Sequence, residues 1–139
     1  MKLLNREKIL TPFNAFRNSF TFDAIGGFIF SAGVSGAYGI LFKHTINENP
    51  KYFLSILNST LMDKYLKTIS TALRGGFYSY ENKYIKQLPI KLIDFSSDLE
   101  RKIHDDLVVL IDIVLDLNKK IHVVKGSEKE QIKRQIEKT

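Results

Sequence analysis

The 139-residue sequence contains no cysteine and only three histidines, His44, His104 and His122, which stand at no ligand-like spacing. A disulfide framework and a thiolate metal site are therefore impossible, and zinc or iron chemistry has little to build on. Signatures of phosphate and nucleophile chemistry are also missing. The glycine run GVSGAYG is neither G-x-G-x-x-G nor G-x-S-x-G, because Ala37 stands where the last glycine of the second motif belongs, and no G-K-[ST] follows it. The N-terminal MKLLNREKIL has no apolar stretch followed by small residues, so no secretory signal is expected and a cytoplasmic location is the default.

What is present suffices for one folded domain with an appended helix. Hydrophobic residues make up 44% and charged residues 26%, with ten Phe and six Tyr, which is enough to bury a core and rules out disorder over the whole length. The formal net charge of +6 is unevenly placed. Residues 1–95 carry 12 Lys and Arg against 6 Asp and Glu, whereas residues 96–139 carry 9 of each. A cationic body joined to a neutral, highly charged tail points to a polyanionic partner for the body and a separate role for the tail. The uncharged run Ala24–Phe42 is 19 residues long, close to a membrane span. Its five glycines break it into short aromatic and β-branched pieces that suit strands instead.

The expected organisation is α+β: a small sheet of short strands with a packed helix, followed by a long coiled-coil-like helix. Phe13, Phe16, Phe20 and Phe22 alternate with Asn14, Arg17, Asn18 and Ser19, a strand-turn-strand pattern. Two more strands are expected at Phe28–Ser31 and Tyr38–Lys43. Asn49 as cap and Pro50 at the first position open a helix whose apolar residues Phe53, Leu54, Leu57, Leu61, Tyr65 and Ile69 recur every three or four positions. Its end is expected near Arg74, before Gly75-Gly76. The segment from Phe77 to Asp94 reads as loop or strand returning to the sheet.

Residues 96–125 form the long heptad helix, opened by an S-x-x-E capping box at Ser97 and Glu100. Ile103, Leu107, Leu110, Val114, Leu117, Ile121 and Val124 follow 4-3 spacing and predict a helix interface, including possible self-association. Val108, Ile111, Ile113 and Leu115 lie off that seam. Asp105, Asp106, Asp112 and Asp116 are expected to decorate the polar face, with His104 and His122 on the solvated side. Residues 126–139 are a charged tail, either frayed or a second short helix.

The body at residues 1–95 holds the constellation that chemistry singles out. Asn14, Arg17 and Asn18 fall in the first turn, and Arg74, Gly75, Gly76, Tyr78, Tyr80, Lys83 and Lys86 in the later segment, with Lys43 between them. Arginine offers bidentate donors to guanine edges or phosphates, asparagine pairs with adenine, and Gly-Gly lets backbone N–H groups come close to a phosphate. These side chains predict binding to double-stranded DNA. The competing reading makes Gly75 a helix cap and the tyrosines half-buried strand residues.

The order KILTPFNAFRNSFTFD, GGFIFSAGVSGAYGILFK, YFLSILNSTLMDKYLKTIST, LRGGFYSYENKYIKQLPI and ERKIHDDLVVLIDIVLDLNKKI resembles the TaqI-like C-terminal specificity domain of restriction-modification enzymes, over residues 8–122. Leu57-Asn58-Ser59, Arg74-Gly75-Gly76 and Leu88-Pro89-Ile90 carry the resemblance. It implies a target recognition domain that follows an N6-adenine DNA methyltransferase domain, reads a short DNA sequence in the major groove, and has a methyltransferase domain or subunit as partner. An NPP[YF] motif and a glycine-rich S-adenosylmethionine loop are absent, and Asn47-Glu48-Asn49-Pro50 is a helix start. The chain is thus expected to be non-catalytic and to hold no cofactor, with S-adenosylmethionine on the methyltransferase domain. The alternative is a protein-protein interaction module using the heptad helix.

Overall fold

Alternating apolar and polar residues near the start of the chain do produce short strands: β1 (Lys8–Pro12), β2 (Asn14–Ala15), β3 (Thr21–Asp23) and β4 (Ala37–Ile40). The computed structural model describes residues 6–28, 36–124 and 126–138, and two units divide the chain, Met1–Leu92 and Ile93–Thr139. The expected strand at Phe28–Ser31 lies, beyond Phe28, outside the described residues. That at Tyr38–Lys43 is shorter and begins one residue earlier.

β1 is the central strand of an antiparallel sheet ordered β3-β1-β4. Its register sets Lys8 opposite Asp23 and Ile9 between Phe22 and Ile40. Lys8 and Asp23 are both fully buried, and their side chains meet at 2.6 Å. Asp23 also accepts hydrogen bonds from the backbone N–H groups of Gly27 and Phe28. Burial by itself raises the Asp23 carboxyl, but the Lys8 ammonium and these two N–H donors outweigh it and lower it to about 2.

The helix opened by Asn49 is two helices. α1 (Pro50–Leu57) begins as expected, with the Asn49 side chain accepting from the Lys51 N–H. It stops at Asn58, and Ser59 caps α2 (Thr60–Ile69) by accepting from the Met62 N–H. The interruption shifts the helical phase. α2 buries Met62 and Leu66, leaving Leu61 at 78% and Tyr65 at 40% exposure although both fitted the unbroken repeat. α1 contributes Tyr52, Phe53, Leu54 and Leu57 to the core, each worth about 1.5–3 kcal/mol when fully buried. Rings pack along this core, Phe42 with Phe53 at 5.3 Å and Phe20 edge-on to Tyr80 at 6.1 Å.

Beyond α2 come β5 (Tyr78–Ser79) and the single-turn α3 (Asn82–Ile85), short elements where a loop or strand was expected. The second unit contains α4 (Asp98–Ile121) and α5 (Ser127–Lys138), which contact each other, with Gly126 between them at φ +71°. The fold class is α+β, with a long C-terminal helix. Only half of the capping box forms. Ser97 Oγ accepts from the Glu100 N–H, while Glu100 reaches past it to the Asp94 N–H.

The heptad residues are not buried as one continuous seam. Leu117 is buried, Leu107, Val114, Ile121 and Val124 are half-buried, and Ile103 and Leu110 are exposed. His104 corrects the expectation of a solvated position: it is buried, edge-on to Phe95 at 5.3 Å, with Nδ1 2.8 Å from Asp105. The four aspartates are exposed, as a polar face requires. Among the described residues no helix is long and apolar enough to cross a membrane.

Candidate nucleic-acid interface

α2 ends at Ile69 because Ser70 turns extended, and its hydroxyl donates to the Ser79 carbonyl at 2.6 Å. Gly75 is therefore not the cap of this helix, and Arg74 does not follow its last turn directly. The chain instead forms a hairpin. Ala72 bridges Tyr78, the Ser79 N–H reaches Thr71, and the Leu73 N–H donates to the Phe77 carbonyl at 2.7 Å. This encloses the three-residue loop Arg74-Gly75-Gly76, in which both glycines hold φ above +80°, a conformation that strains any residue with a Cβ.

On the other side of the hairpin, β5 pairs antiparallel with β2, Asn14 opposite Ser79 and Ala15 opposite Tyr78. The Tyr80 N–H continues the contact by donating to the Phe13 carbonyl. Two segments some sixty residues apart thereby become one rim. Arg17 and Arg74 are exposed on it, and neither has an ion-pair partner among the described residues. Two carboxylates that could have paired with Arg74 are already engaged. Asp63 bonds Lys67 at 2.7 Å and the Asn18 N–H at 2.8 Å, while Glu81 takes the Ser79 hydroxyl at 3.0 Å and Lys83 at 3.4 Å.

Two of the predicted DNA-contacting residues face inward. The Asn18 amide donates to the Leu57 carbonyl and accepts from the Tyr80 hydroxyl at 2.8 Å, so its side chain ties α1 to the hairpin segment. Tyr80 is fully buried, and burial first, then the nearby Asp63 carboxylate, holds its phenol strongly in the protonated form. Neither group is available to a base edge in this conformation. Asn14 is half-buried, its amide oxygen buried and unpaired among the described residues.

The remaining cations lie close to α3. Lys83 is exposed, 4.9 Å from the Tyr84 ring centre, and the Glu81 hydrogen bond and charge raise its pKa. Lys43 and Lys86 are exposed and border one open apolar groove of about 500 Å³, floored by residues such as Ile9, Phe53 and Leu57. Tyr78 is half-buried, with the Lys67 ammonium 5.5 Å from its ring centre. Three residues outside the predicted set also lie on or beside this rim: Phe16 is exposed next to Arg17 in the sequence, its ring packs on Phe77, and Lys67 pairs with Asp63.

Two of the motifs behind the resemblance prove to be architectural. Leu57 is core, and Asn58 pairs with the Phe20 backbone in both directions, Oδ1 accepting at 2.9 Å and Nδ2 donating at 2.9 Å. Ser59 caps α2, and Leu88 is buried.

Comparison with known proteins identifies a family. The family model of the TaqI-like C-terminal specificity domain matches residues 1–90, stopping short of the long helix that the sequence resemblance included. The type II methyltransferases M.HincII of Haemophilus influenzae and M.HindII of Haemophilus influenzae strain KW20 / Rd are each 26% identical to the chain over 111 residues, 77% of this chain and 21% of theirs. The chain spans about a fifth of the length of these curated relatives. With a family model matching well over half of its residues, the chain belongs to the TaqI-like C-terminal specificity domains.

Proposed function

We propose that this chain is the DNA target recognition domain of a restriction-modification methyltransferase or specificity subunit, acts in the cytoplasm and transfers no methyl group itself. The cationic body attracts duplex DNA without regard to sequence, and the rim of β2 and β5 carries the side chains that discriminate. Arg74 and Arg17 are the base-reading candidates, and Lys43, Lys83 and Lys86 the phosphate contacts. S-adenosylmethionine belongs to the methyltransferase domain that this domain serves. The observation supporting the reading is the β2–β5 pairing, which joins the Arg17 turn and the Arg74 loop on one exposed edge.

Titration of the chain with duplex DNA across a salt series tests it. Affinity is expected to fall steeply with salt, with a log-log slope of about 0.9 per neutralised phosphate. Substituting Lys43 or Lys86 with alanine reduces that slope, whereas neutralising Lys119 and Lys120 of α4 leaves it unchanged. In the complete methyltransferase, Arg74→Ala relaxes target choice by about 1–3 kcal/mol. Affinity that is flat with salt overturns the reading.

A second reading draws on Leu99, Ile103, Leu110 and Ile113, all exposed on α4. In it the helix is a protein-docking surface and the basic body is incidental. Concentration-dependent association with no DNA binding favours it.

A further inference from the structure

We propose that Phe16 is a base-stacking residue: its ring, backed by Phe77 and seated over Gly76, presents one aromatic face to a nucleobase between the Arg17 and Arg74 side chains. The inference rests on the DNA-recognition reading and deepens it. Phe16 is 56% exposed, one of three exposed aromatic side chains among the described residues of this unit, with Phe28 and Tyr65. Its exposure does not come from lack of partners. The Phe16 and Phe77 ring centres are 3.8 Å apart at an interplanar angle of 33°, so the ring is held in place before any ligand arrives.

The loop beside it touches this ring: a Cβ added to Gly76 would lie 3.5 Å from the Phe16 ring, an ordinary contact, and it is the backbone at φ +83° that calls for glycine there. An ordered, two-torsion side chain loses little entropy on binding. Its setting selects the occupant. Phe16 precedes Arg17 in the chain and Phe77 follows the Arg74-Gly75-Gly76 loop, so the ring pair is joined in sequence to two exposed arginines without ion-pair partners among the described residues. A protein core would bury those charges, whereas nucleic acid offers phosphates for them and a π-face for the ring.

The chain contains no tryptophan, so Phe16→Trp installs a single reporter at this position. Its emission is expected to be quenched as duplex DNA is titrated in, while a Val123→Trp control on exposed chain in the other unit is not. Phe16→Ala is expected to weaken binding by roughly fivefold or more without changing the salt slope, since no charge is removed. Arg74→Ala, by contrast, lowers that slope if it meets phosphate, or relaxes base preference if it meets a base edge. Phe16→Leu restores apolar bulk but no π-face and is expected to bind as weakly as Phe16→Ala.

A duplex with a single-base bulge separates the two possible sources of the base. Tighter binding to the bulge identifies an unpaired base as the partner, and equal binding identifies an opened step within the duplex. Wild-type affinity in Phe16→Ala or Phe16→Leu, with melting temperatures unchanged, overturns the stacking role and leaves DNA recognition standing. Absence of DNA binding by the wild-type chain at low salt overturns both.

Discussion

In the unit Ile93–Thr139 four of the nine basic side chains pair with carboxylates one helical turn away: Lys102 with Asp106, Lys119 with Asp116, Arg101 with Asp98 and Lys133 with Glu130. In Met1–Leu92 Arg17, Lys43, Arg74 and Lys86 are exposed without such partners among the described residues, and the paired Lys8 is fully buried. The difference explains how a net charge of +6 becomes a usable field. Residues 96–139 balance nine cations with nine carboxylates, so their charges cancel beyond the Debye length, while the body's excess remains open to a polyanion. Burial divides the same way, since among the described residues Leu117 is the only buried apolar residue of the helical unit.

The strongest way to break this comparison is to weaken the body's core. Leu66 is fully buried, and Leu66→Ala is expected to lower the unfolding free energy by about 2–5 kcal/mol. Leu110→Ala, at an exposed heptad position, is expected to cost well under half as much. Urea melts followed by circular dichroism check both values, and equal costs would mean that the helical unit carries a core of its own weight.

Acid sharpens the contrast between the buried pair and the surface pairs. The Asp23 carboxyl is held down at about 2 in the folded chain against roughly 4 when unfolded. A depressed folded value means that its contribution is fully present above the unfolded value and is lost as pH falls toward the folded one. Stability is therefore expected to drop between about pH 4 and pH 2. Asp23→Asn removes this pH dependence and lowers stability at neutral pH, because Lys8 is left buried and charged. Melting temperatures across a pH series read both effects.

The smallest expected effect concerns Asn58, exposed yet bonded twice to the Phe20 backbone. Asn58→Ala leaves that buried residue's N–H and carbonyl without their partner and is expected to cost about 1–3 kcal/mol. Hydrogen exchange at the Phe20 amide should rise in step. An unchanged exchange rate would mean that the Asn58 amide does not anchor the Phe20 backbone.

Much of this protein was legible in its residues. Asn49-Pro50 announced α1, Ser97 announced α4, and the alternation around Phe13 to Phe22 announced the strands, because caps and periodicity act over a few residues. The break at Asn58-Ser59 was not legible from periodicity. An apolar repeat continues across it, whereas the break coincides with Asn58 bonding the Phe20 backbone twice and with Ser59 capping α2.

The candidate site divides along the same line. Composition and charge order alone located the excess of cations in the body and assigned the acidic residues of α4 to a polar face, since those properties need no long-range contact. Which polar residues face outward was decided by tertiary structure. Arg17 and Asn18 are adjacent in sequence, yet one is exposed and the other is claimed by Leu57, Asp63 and Tyr80. Phe16 and Phe77 meet only because β2 pairs with β5. A strand pairing across some sixty residues leaves no mark in local spacing; its energy comes from backbone groups that every residue shares.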